Sequence, residues 1–321
     1  MRLQSYSLLA FLAVAAPAVS VGAQVLTPYD VFVFNNFAMT STEVNGTLAV
    51  GGSASLTSFG VGRFLTPGFS GNSLVVGGNL TTTAGQIFEG QTIVGGTNSN
   101  TLTSFPFAYP PQAGMPIDFL AESMRLTAIS NAYAGMTANG TTQLLGGELN
   151  FIGTSNYNIF NILISELQAG TAGYEFVTPV GATNIVNVSG TSASSAFNNT
   201  AFYFDCTQIR TSSSCVTGTN EATPRAAALT LFNFNQQTDL VIGGPVHGSI
   251  FAPNAAVTFG SGDVVGTVIV NSAVSSAEFY SNHDFSGELP SAVTATPEPA
   301  TFGLFALGLA GLVGVVRRRK A

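Results

Sequence analysis

Six ionisable side chains in the last third of the chain are the residues that could do chemistry. Glycan hydrolysis needs two carboxylates that flank the scissile bond. The available acids and the histidines near them are Asp239, Asp263, Glu278, Asp284, His247 and His283. If two of these acids faced each other across a groove, the protein would be a polysaccharide-active enzyme.

The sequence around these residues favours structural roles. Asp263 follows Gly260-Ser261-Gly262, which is typical of a corner turn, and His247 precedes a strand, as a solvated or capping histidine would. Glu278 and Asp284 could hold a cation, but a polar end cap uses the same residue types. The chain also lacks a Gly-x-Ser-x-Gly, a His-Glu-x-x-His and a Gly-Lys phosphate loop. We therefore predict no catalytic, cofactor-binding or metal-binding residue, with the enzyme as the alternative.

Cys206 and Cys215 are the only two cysteines, with eight residues between them. In an exported chain such a pair predicts a disulfide that closes one small surface loop. A metal or redox pair is the alternative, although no histidine lies near them in sequence.

Short β-branched segments that end in Gly-Gly recur along the chain and must supply the framework. The copies are Leu48-Ala49-Val50-Gly51-Gly52, Leu74-Val75-Val76-Gly77-Gly78, Thr92-Ile93-Val94-Gly95-Gly96, Leu240-Val241-Ile242-Gly243-Gly244 and the degenerate Leu144-Leu145-Gly146-Gly147. Several successive copies lie 18 or 26 residues apart, and Gly248 and Gly266 begin two further segments 18 apart. Such spacings are typical of stacked coils in a solenoid.

These repeats predict an all-β fold, a right-handed β-helix (solenoid). Eighteen residues at about 3.3 Å each trace a perimeter near 60 Å, which fits a three-sided coil. Glycines with positive φ would turn the corners. The side chains expected in one shared core are Val50, Val76, Val94, Ile242, Ile250 and Ile269. Asn45-Gly46 and Asn139-Gly140 could be hairpin turns, so a β-sandwich is the alternative fold.

The segment Met115–Ala138 predicts one long α-helix packed against the solenoid. Pro116 suits a first turn, Asp118 complements the helix dipole, and Asn139-Gly140 would end the helix. Its apolar stripe is Phe119, Leu126, Ile129, Tyr133 and Met136, which we interpret as packing surface.

Thr81-Thr82-Thr83 and Thr101-Leu102-Thr103 could begin a flat threonine array of the kind that orders water on ice. An ice-binding face needs the array on many successive coils, and the later coils do not keep it. An ice-binding-like adhesin is therefore a second functional alternative.

The charge balance excludes one class of partner. Between Gln24 and Thr296 the chain has fifteen acids and four arginines, a net charge of −11. Nucleic acid is therefore not expected as a partner. The uncharged Ser, Thr and Asn surface suits surface glycans or exopolysaccharide, where many weak contacts add.

The N-terminus predicts export. Arg2, the apolar stretch Leu8–Ala18 and the small residues Val21-Gly22-Ala23 form a signal peptide over residues 1–23, to be removed by signal peptidase. The mature chain would begin at Gln24, and the folded domain would cover residues 24–290.

The C-terminus predicts a sorting signal in three parts. A linker over residues 291–299 contains the motif Pro297, Glu298 and Pro299. Residues 300–316 carry no charge and, at about 1.5 Å per residue, form a transmembrane helix of roughly 25 Å. The basic stop in the cytoplasmic tail, residues 317–321, is Arg317, Arg318, Arg319 and Lys320. A permanent membrane anchor is the alternative to a processed signal.

This tail resembles the PEP-CTERM signal, in which an exosortase-type protease cuts near the motif and passes the protein to the cell surface or extracellular matrix. The mature region resembles the choice-of-anchor A family, in segments such as Val44–Gly52, Leu74–Leu80, Val246–Ala255 and His283–Pro290. That family is similar to adhesive domains of the ice-binding β-helix type. The resemblance implies a surface or adhesive role and brings no catalytic residues with it.

Together these observations predict an exported surface or matrix protein, adhesive or structural in biofilm or exopolysaccharide. It would be held in the membrane through residues 300–316 until processing. A self-associating structural protein, joined through open solenoid ends and sheet edges, is a further alternative.

Overall fold

The computed structural model describes residues 26–100, 114–191, 195–198, 201–209, 215–217, 224–280 and 283–289. These residues form three helices: α1 (Phe119–Ala134), α2 (Ile164–Ala169) and α3 (Pro224–Ala228). They also form 24 strands: β1 (Val31–Val33), β2 (Phe37–Thr40), β3 (Glu43–Val44), β4 (Leu48–Val50), β5 (Ala54–Val61), β6 (Asn72–Val76), β7 (Leu80–Ile87), β8 (Gln91–Val94), β9 (Asn98–Asn100), β10 (Thr141–Leu145), β11 (Glu148–Ile152), β12 (Tyr157–Leu163), β13 (Gly173–Val177), β14 (Thr183–Ser189), β15 (Ser195–Ala196), β16 (Ala201–Phe204), β17 (Val216–Thr217), β18 (Thr230–Asn233), β19 (Asp239–Ile242), β20 (Val246–His247), β21 (Ser249–Phe259), β22 (Asp263–Val265), β23 (Val268–Ser275) and β24 (Glu278–Tyr280).

The longest series of parallel strands, which we call column A, does not follow the order of the sequence. Its strands pair in the order β8, β6, β4, β1, β23, β21, β18, β14 and β12. The first strand of the chain therefore lies in the middle, between β4 and β23. Residues 31–100 build the stack in one direction from this point, and residues 157–270 build it in the other.

Two further series of parallel strands run beside column A. Column B has the order β9, β7, β5, β2, β23, β21, β19 and β15. Column C has the order β7, β5, β3, β24, β22 and β20. Long strands such as β5 and β21 take part in two columns each. The chain therefore passes repeatedly from A to B to C.

A separate five-stranded sheet lies at the β12 end, in the order β10, β11, β13, β16 and β17. β10 and β11 form an antiparallel hairpin whose turn is Gly146-Gly147, with φ values of 58° and 88°. Two residues with positive φ are what a tight hairpin turn requires. The degenerate repeat Leu144–Gly147 is therefore a hairpin, and its interpretation as a stacked strand was wrong.

The strands of column A are buried on both sides, because one side faces the core and the other faces helix α1. The main core contains Val50, Val76, Ile242 and Ile250, and Val94 packs against it, as predicted. Ile269 lies instead in a second cluster beneath the helix. Side chains alternate across a strand, so Val268 and Val270 take the inward positions and Ile269 points outward.

Helix α1 is shorter than the predicted segment 115–138. Asp118 caps it by accepting a hydrogen bond from the Ala121 amide at 3.0 Å, and Gly135 follows its last residue. The predicted stripe packs on the sheet: Leu126, Ile129 and Tyr133 are buried, and Phe119 and Met136 are partly buried against the same cluster.

Asn139 has a different role from the predicted helix stop. Its side chain accepts a hydrogen bond from Ile159 N at 2.7 Å and donates one to Tyr157 O at 2.9 Å. It thereby satisfies backbone groups of β12, the edge strand of column A. The expected open sheet edge is protected at this end.

Gly243-Gly244 lies between β19 of column B and β20 of column C. The other three Gly-Gly pairs, at residues 51–52, 77–78 and 95–96, turn the corner between columns A and B, and none of the four pairs has positive φ. These three are needed because backbones stack closely there: a Cβ on Gly77 would lie 2.3 Å from the carbonyl oxygen of Gly51.

At the corner between columns B and C, Ser41, Ser58 and Ala84 adopt positive φ values of 56°, 50° and 47°. At the corner between columns C and A, Gly248 and Gly266 have φ values of 140° and 148°. The prediction that positive-φ glycines turn the corners is therefore confirmed at the corner between C and A and was wrong at the other two.

Among the described residues, no helix is both long enough and apolar enough to cross a membrane. The predicted signal peptide (1–23), sorting motif (Pro297, Glu298, Pro299), sorting helix (300–316) and basic stop (Arg317, Arg318, Arg319, Lys320) lie outside these residues.

Candidate adhesive surface

The outward side chains of column B form an open surface, which we call the hydroxyl face. One row runs across the strands in register, and its members are Ser99, Thr81, Ser55, Ala38, Val274, Thr258 and Val241. Neighbouring strands lie about 4.8 Å apart, so the row presents one side chain at each such step. None of these side chains is charged.

A second row of threonines lies beside the first. Thr40, Thr57 and Thr83 are register partners on three adjacent strands, and Thr40 and Thr83 are exposed. The sequence had suggested Thr81-Thr82-Thr83 as the start of an array. Thr81 and Thr83 point outward, whereas Thr82 is fully buried. Thr101 and Thr103 lie outside the described residues.

Thr40 and Thr57 were missed by the sequence reasoning. The signal that could have found them is a shared pattern, since Ala38-Met39-Thr40, Ser55-Leu56-Thr57 and Thr81-Thr82-Thr83 each place a small or hydroxyl residue two positions before a threonine. On the other side of β2 the threonine row is not continued. There the surface becomes more apolar, with Val274 58% exposed.

A shallow groove follows the hydroxyl face along the direction of the stack. It passes over Ala38, and its polar lining is Asn36, Ser53, Ser55, Asn79, Thr81, Thr258 and Ser272. Asn36 Oδ1 accepts from Ser53 N at 2.9 Å, and Asn79 Oδ1 accepts from Thr97 N at 2.8 Å. These bonds join successive strands and hold the amides in fixed positions. The groove can therefore offer a rigid line of neutral donors and acceptors.

Several charged groups lie on column C, whereas on column B the exposed acid of β19 is Asp239. Arg63 pairs with Glu43 at 2.9 Å. Asp263 and Glu278 are register partners, and Glu278 accepts a hydrogen bond from Asn45 at 2.7 Å. Asp263 and Glu278 thus lie side by side on one sheet, not on opposite walls of a groove.

The other two candidate acids have different hydrogen-bond partners from this pair. Asp239 is exposed on β19 and accepts a hydrogen bond from Thr238. Asp284 faces Asp30, a residue that the sequence reasoning did not single out. Of the four predicted acids, the structure brings together only Asp263 and Glu278.

Asp30 and Asp284 form a hydrogen-bonded pair of carboxyl groups. Asp30 is 5% exposed, and its Oδ2 accepts from Thr47 N at 2.6 Å and from Thr47 Oγ1 at 2.8 Å. Burial of the carboxyl group and the adjacent Asp30 raise the pKa of Asp284 to about 7. A hydrogen bond between two carboxyl groups needs one proton, so this bond requires Asp284 to be protonated.

His247 and His283 are both buried. His247 stacks on Phe202 with ring centroids 5.5 Å apart, and its Nε2 lies 3.8 Å from Asp263 Oδ2. Burial, with a contribution from His283, lowers the pKa of His247 to about 4, so the ring is neutral at pH 7. The interpretation of His247 as a solvated or capping residue was wrong, because a phenylalanine packs on its ring.

Cys206 and Cys215 are joined by a disulfide. Cys206 follows β16 and Cys215 precedes β17, so the bond spans the loop between two antiparallel strands. The buried carboxylate of Glu175 lies beside the two sulfurs, which gives the described residues one Asp/Glu/His/Cys group close enough for a metal ion. The disulfide uses both thiols of that group.

Three features define the class of protein: parallel strands in stacked columns, one broad face covered by a helix, and another broad face left open, whose central row carries no charge. Two family models match the sequence of the chain. The chain belongs to the family described as putative ice-binding-like adhesive domain, whose model matches residues 22–281. The PEP-CTERM protein-sorting motif matches residues 295–320.

Searches of curated proteins and of solved structures give no significant match. The two family matches support an exported, adhesin-like surface protein. The sorting motif also implies processing by an exosortase, with a surface or extracellular location afterwards.

Proposed function

We propose that this protein attaches cells or matrix to a neutral surface polysaccharide, and that the hydroxyl face makes the contact. The observation that carries this proposal is the open, uncharged row along a rigid groove, in which four of the seven side chains are Ser or Thr and three are apolar. Successive strands present these side chains about 4.8 Å apart, which is close to the length of one sugar ring, so hydroxyl groups can bond to the polymer and the apolar members can pack against its ring faces. A polymer lying along the groove would gain affinity from many such contacts.

The test is retention on immobilised polysaccharide. Thr57→Lys together with Ser55→Lys places two long charged side chains on the hydroxyl face, and we expect retention of the purified protein to fall at least tenfold. Met124→Lys on helix α1 is the matched control, because Met124 is 67% exposed on a different surface. If both variants are retained equally, the hydroxyl face does not make the contact with the polysaccharide.

An enzyme of polysaccharide metabolism is the rival function. Asp263 and Glu278 are adjacent, but each already has a polar partner, and the groove of the hydroxyl face includes neither. Incubation with a polysaccharide panel distinguishes the two functions. New reducing ends or unsaturated products that disappear in Glu278→Gln would replace the adhesive proposal with an enzymatic one.

Ice binding is the other candidate, because the family name and the Thr40, Thr57 and Thr83 row both favour it. The row covers three strands and is then replaced by a more apolar surface, so we favour a polymer ligand. If the purified protein shapes ice crystals and Thr57→Lys abolishes that effect, ice is the ligand.

We also propose that columns A, B and C wind as a right-handed β-helix in a choice-of-anchor A type of domain. The repeated passage from A to B to C supports this, and parallel crossover connections are right-handed in nearly all known sheets. An experimental structure with left-handed winding would disprove this proposal.

A further inference from the structure

Residues 283–289, which we call the strap, lie between the two segments that match known families. The adhesive domain match ends at residue 281 and the sorting motif begins at residue 295. The strap nevertheless packs on the domain: Phe285 is 3% exposed in the cluster beneath helix α1, and Leu289 packs against the same cluster.

The strap crosses the beginnings of several column A strands in turn. Phe285 N donates to Thr267 Oγ1, just before β23, and Ser286 N donates to Ala228 O, just before β18, both at 2.9 Å. A Cβ on Gly287 would lie 2.7 Å from Thr183 of β14. Tyr133 donates to Glu288 O at 2.9 Å. The strap therefore leads the chain from β23 towards the β12 end of the stack.

Its first contact is the carboxyl pair. Asp284 hydrogen-bonds to Asp30, which directly precedes β1, and Thr267 Oγ1 lies 3.4 Å from Asp284 Oδ1. Both partners of the pair are acids, so the bond exists only while a proton lies between them. An Asn–Asp pair would not need this proton, because the Asn amide can donate to the carboxylate when the Asp is ionised.

We propose that the strap is a proton-dependent latch that sets the reach of the sorting signal. With the proton present, the strap is docked and the chain leaves the domain at Leu289. When the proton is lost, two carboxylates face each other and the strap is released from residue 283 onward.

Release changes the length of the tether substantially. At about 3.5 Å per extended residue, the six steps from Leu289 to residue 295 reach roughly 20 Å, whereas the twelve steps from His283 reach roughly 40 Å. The latch would therefore control how far the sorting motif can extend from the folded domain towards a membrane protease.

The direction of the pH effect follows from the raised pKa. The docked strap keeps Asp284 protonated up to about pH 7, whereas a free aspartate loses its proton near pH 4. Docking is therefore strongest below about pH 4, weakens as pH rises and is weakest above about pH 7. The loss is at most tenfold per pH unit, and solvent around the exposed part of Asp284 makes it smaller.

Other ionisable groups near the latch must be separated from it. His283 is the neighbouring residue, His247 and Asp263 lie near it on column C, and Glu288 and Tyr133 lie at the far end of the strap. His283 adjoins Asp284 in the strap, so a variant of His283 is the control that separates its contribution from that of the latch.

The experiment is hydrogen exchange of the full chain in detergent micelles, with rates corrected for the intrinsic effect of pH. We expect protection of residues 283–289 to fall at least tenfold between pH 5.5 and pH 8, while residues 119–134 keep theirs. The Asp284→Asn chain should keep strap protection at pH 8, because its amide can donate to Asp30. His283→Gln should behave as the unmodified chain does.

A second readout uses fluorescence. The chain has no tryptophan, so Phe285→Trp introduces a single reporter whose emission shifts to longer wavelength when the strap is released. A strap equally protected at both pH values, or a loss of protection that persists in Asp284→Asn, overturns the proposal. Disappearance of the effect in His283→Gln assigns the switch to the histidine and also overturns it.

Discussion

The two ends of the stack are filled by different side chains. In residues 31–100 the core of the columns is mainly aliphatic, with Leu48, Val50, Leu74 and Val76 among its buried members and Phe37 and Phe59 as its aromatic ones. The Gly-Gly corners there bring successive backbones close together. In residues 141–234 more than half of the core members are aromatic. Phe176 stacks on Phe151 at 4.6 Å and on Phe204 at 5.1 Å.

The difference shows how one strand arrangement accommodates two cross-sections. Small corner residues and branched aliphatic side chains suit a narrow interior, because there is little space between the columns. At the other end, the five-stranded sheet widens the interior, and only large rings fill it to the density that proteins need.

Buried asparagines add a second difference. Asn187 donates to Asn161 at 2.9 Å and to the Tyr133 carbonyl at 2.7 Å, and Asn233 donates to Asn187 at 2.8 Å. This series joins three column A strands to helix α1. The aromatic end is therefore fixed to the helix by directional bonds as well as by apolar packing.

The largest expected effect tests the aromatic core. Phe176→Ala should lower the free energy of unfolding by about 3–5 kcal/mol, because it removes a fully buried ring from a stack. Val76→Ala in the aliphatic core should cost about 2 kcal/mol, since it removes only two methyl groups. Chemical denaturation measures both values. An equal cost at the two sites would mean that the cores do not differ in the way described.

An intermediate effect tests the close corners. Gly77→Ala should cost about 1–3 kcal/mol, because its Cβ would lie 2.3 Å from a backbone oxygen that cannot move away cheaply. Gly260→Ala at the end of β21 is the matched control, since its nearest neighbour would be 3.5 Å away and its φ is not positive. We expect the control to change the melting temperature very little. A tolerated Gly77→Ala would contradict the close stacking of the corners.

The smallest expected effect tests the corner between columns B and C, where Ala84 has a positive φ of 47°. Ala84→Gly should stabilise the protein by about 0.5 kcal/mol, because the left-handed backbone costs alanine about 1–2 kcal/mol and the flexibility of glycine returns about 0.5–1 of it. Ala256→Gly in an extended strand should destabilise by about 0.5–1 kcal/mol. Thermal unfolding should show a higher melting temperature for Ala84→Gly and a lower one for Ala256→Gly. If both variants melt at lower temperature than the unmodified chain, Ala84 is not strained.

Sequence reasoning worked where the repeat is regular. The Gly-Gly segments at Val50, Val76 and Val94 indicated parallel strands at the narrow end, because backbone crowding there leaves no choice of corner residue. The helix stripe was also predictable, because Leu126, Ile129 and Tyr133 lie three and four residues apart and so share one face of a helix. Gly146-Gly147 has the same sequence as the corner pairs, but it forms a hairpin turn that requires positive φ.

The site was less predictable. The outward threonines became visible only once the register placed Thr40, Thr57 and Thr83 together, and nothing in local sequence reports that pairing. The Asp30–Asp284 contact joins residues near opposite ends of the domain, so no spacing rule could find it. His247 was misjudged because the phenylalanine that buries it comes from another sheet.

The central position of β1 has a consequence for secretion. A chain that crosses the inner membrane from its N-terminus delivers β1 early and its neighbour β23 very late, as the bond between Asn35 and Asn271, 236 residues apart, illustrates. One edge of β1 must therefore wait unpaired through most of translocation, exposed to wrong partners. The sorting motif begins at residue 295, after the closing strand β24. If this motif detained the chain in the membrane, every strand of the stack would already have been delivered. Such detention would give each molecule time to pair β1 with β23 before it meets other copies at the cell surface.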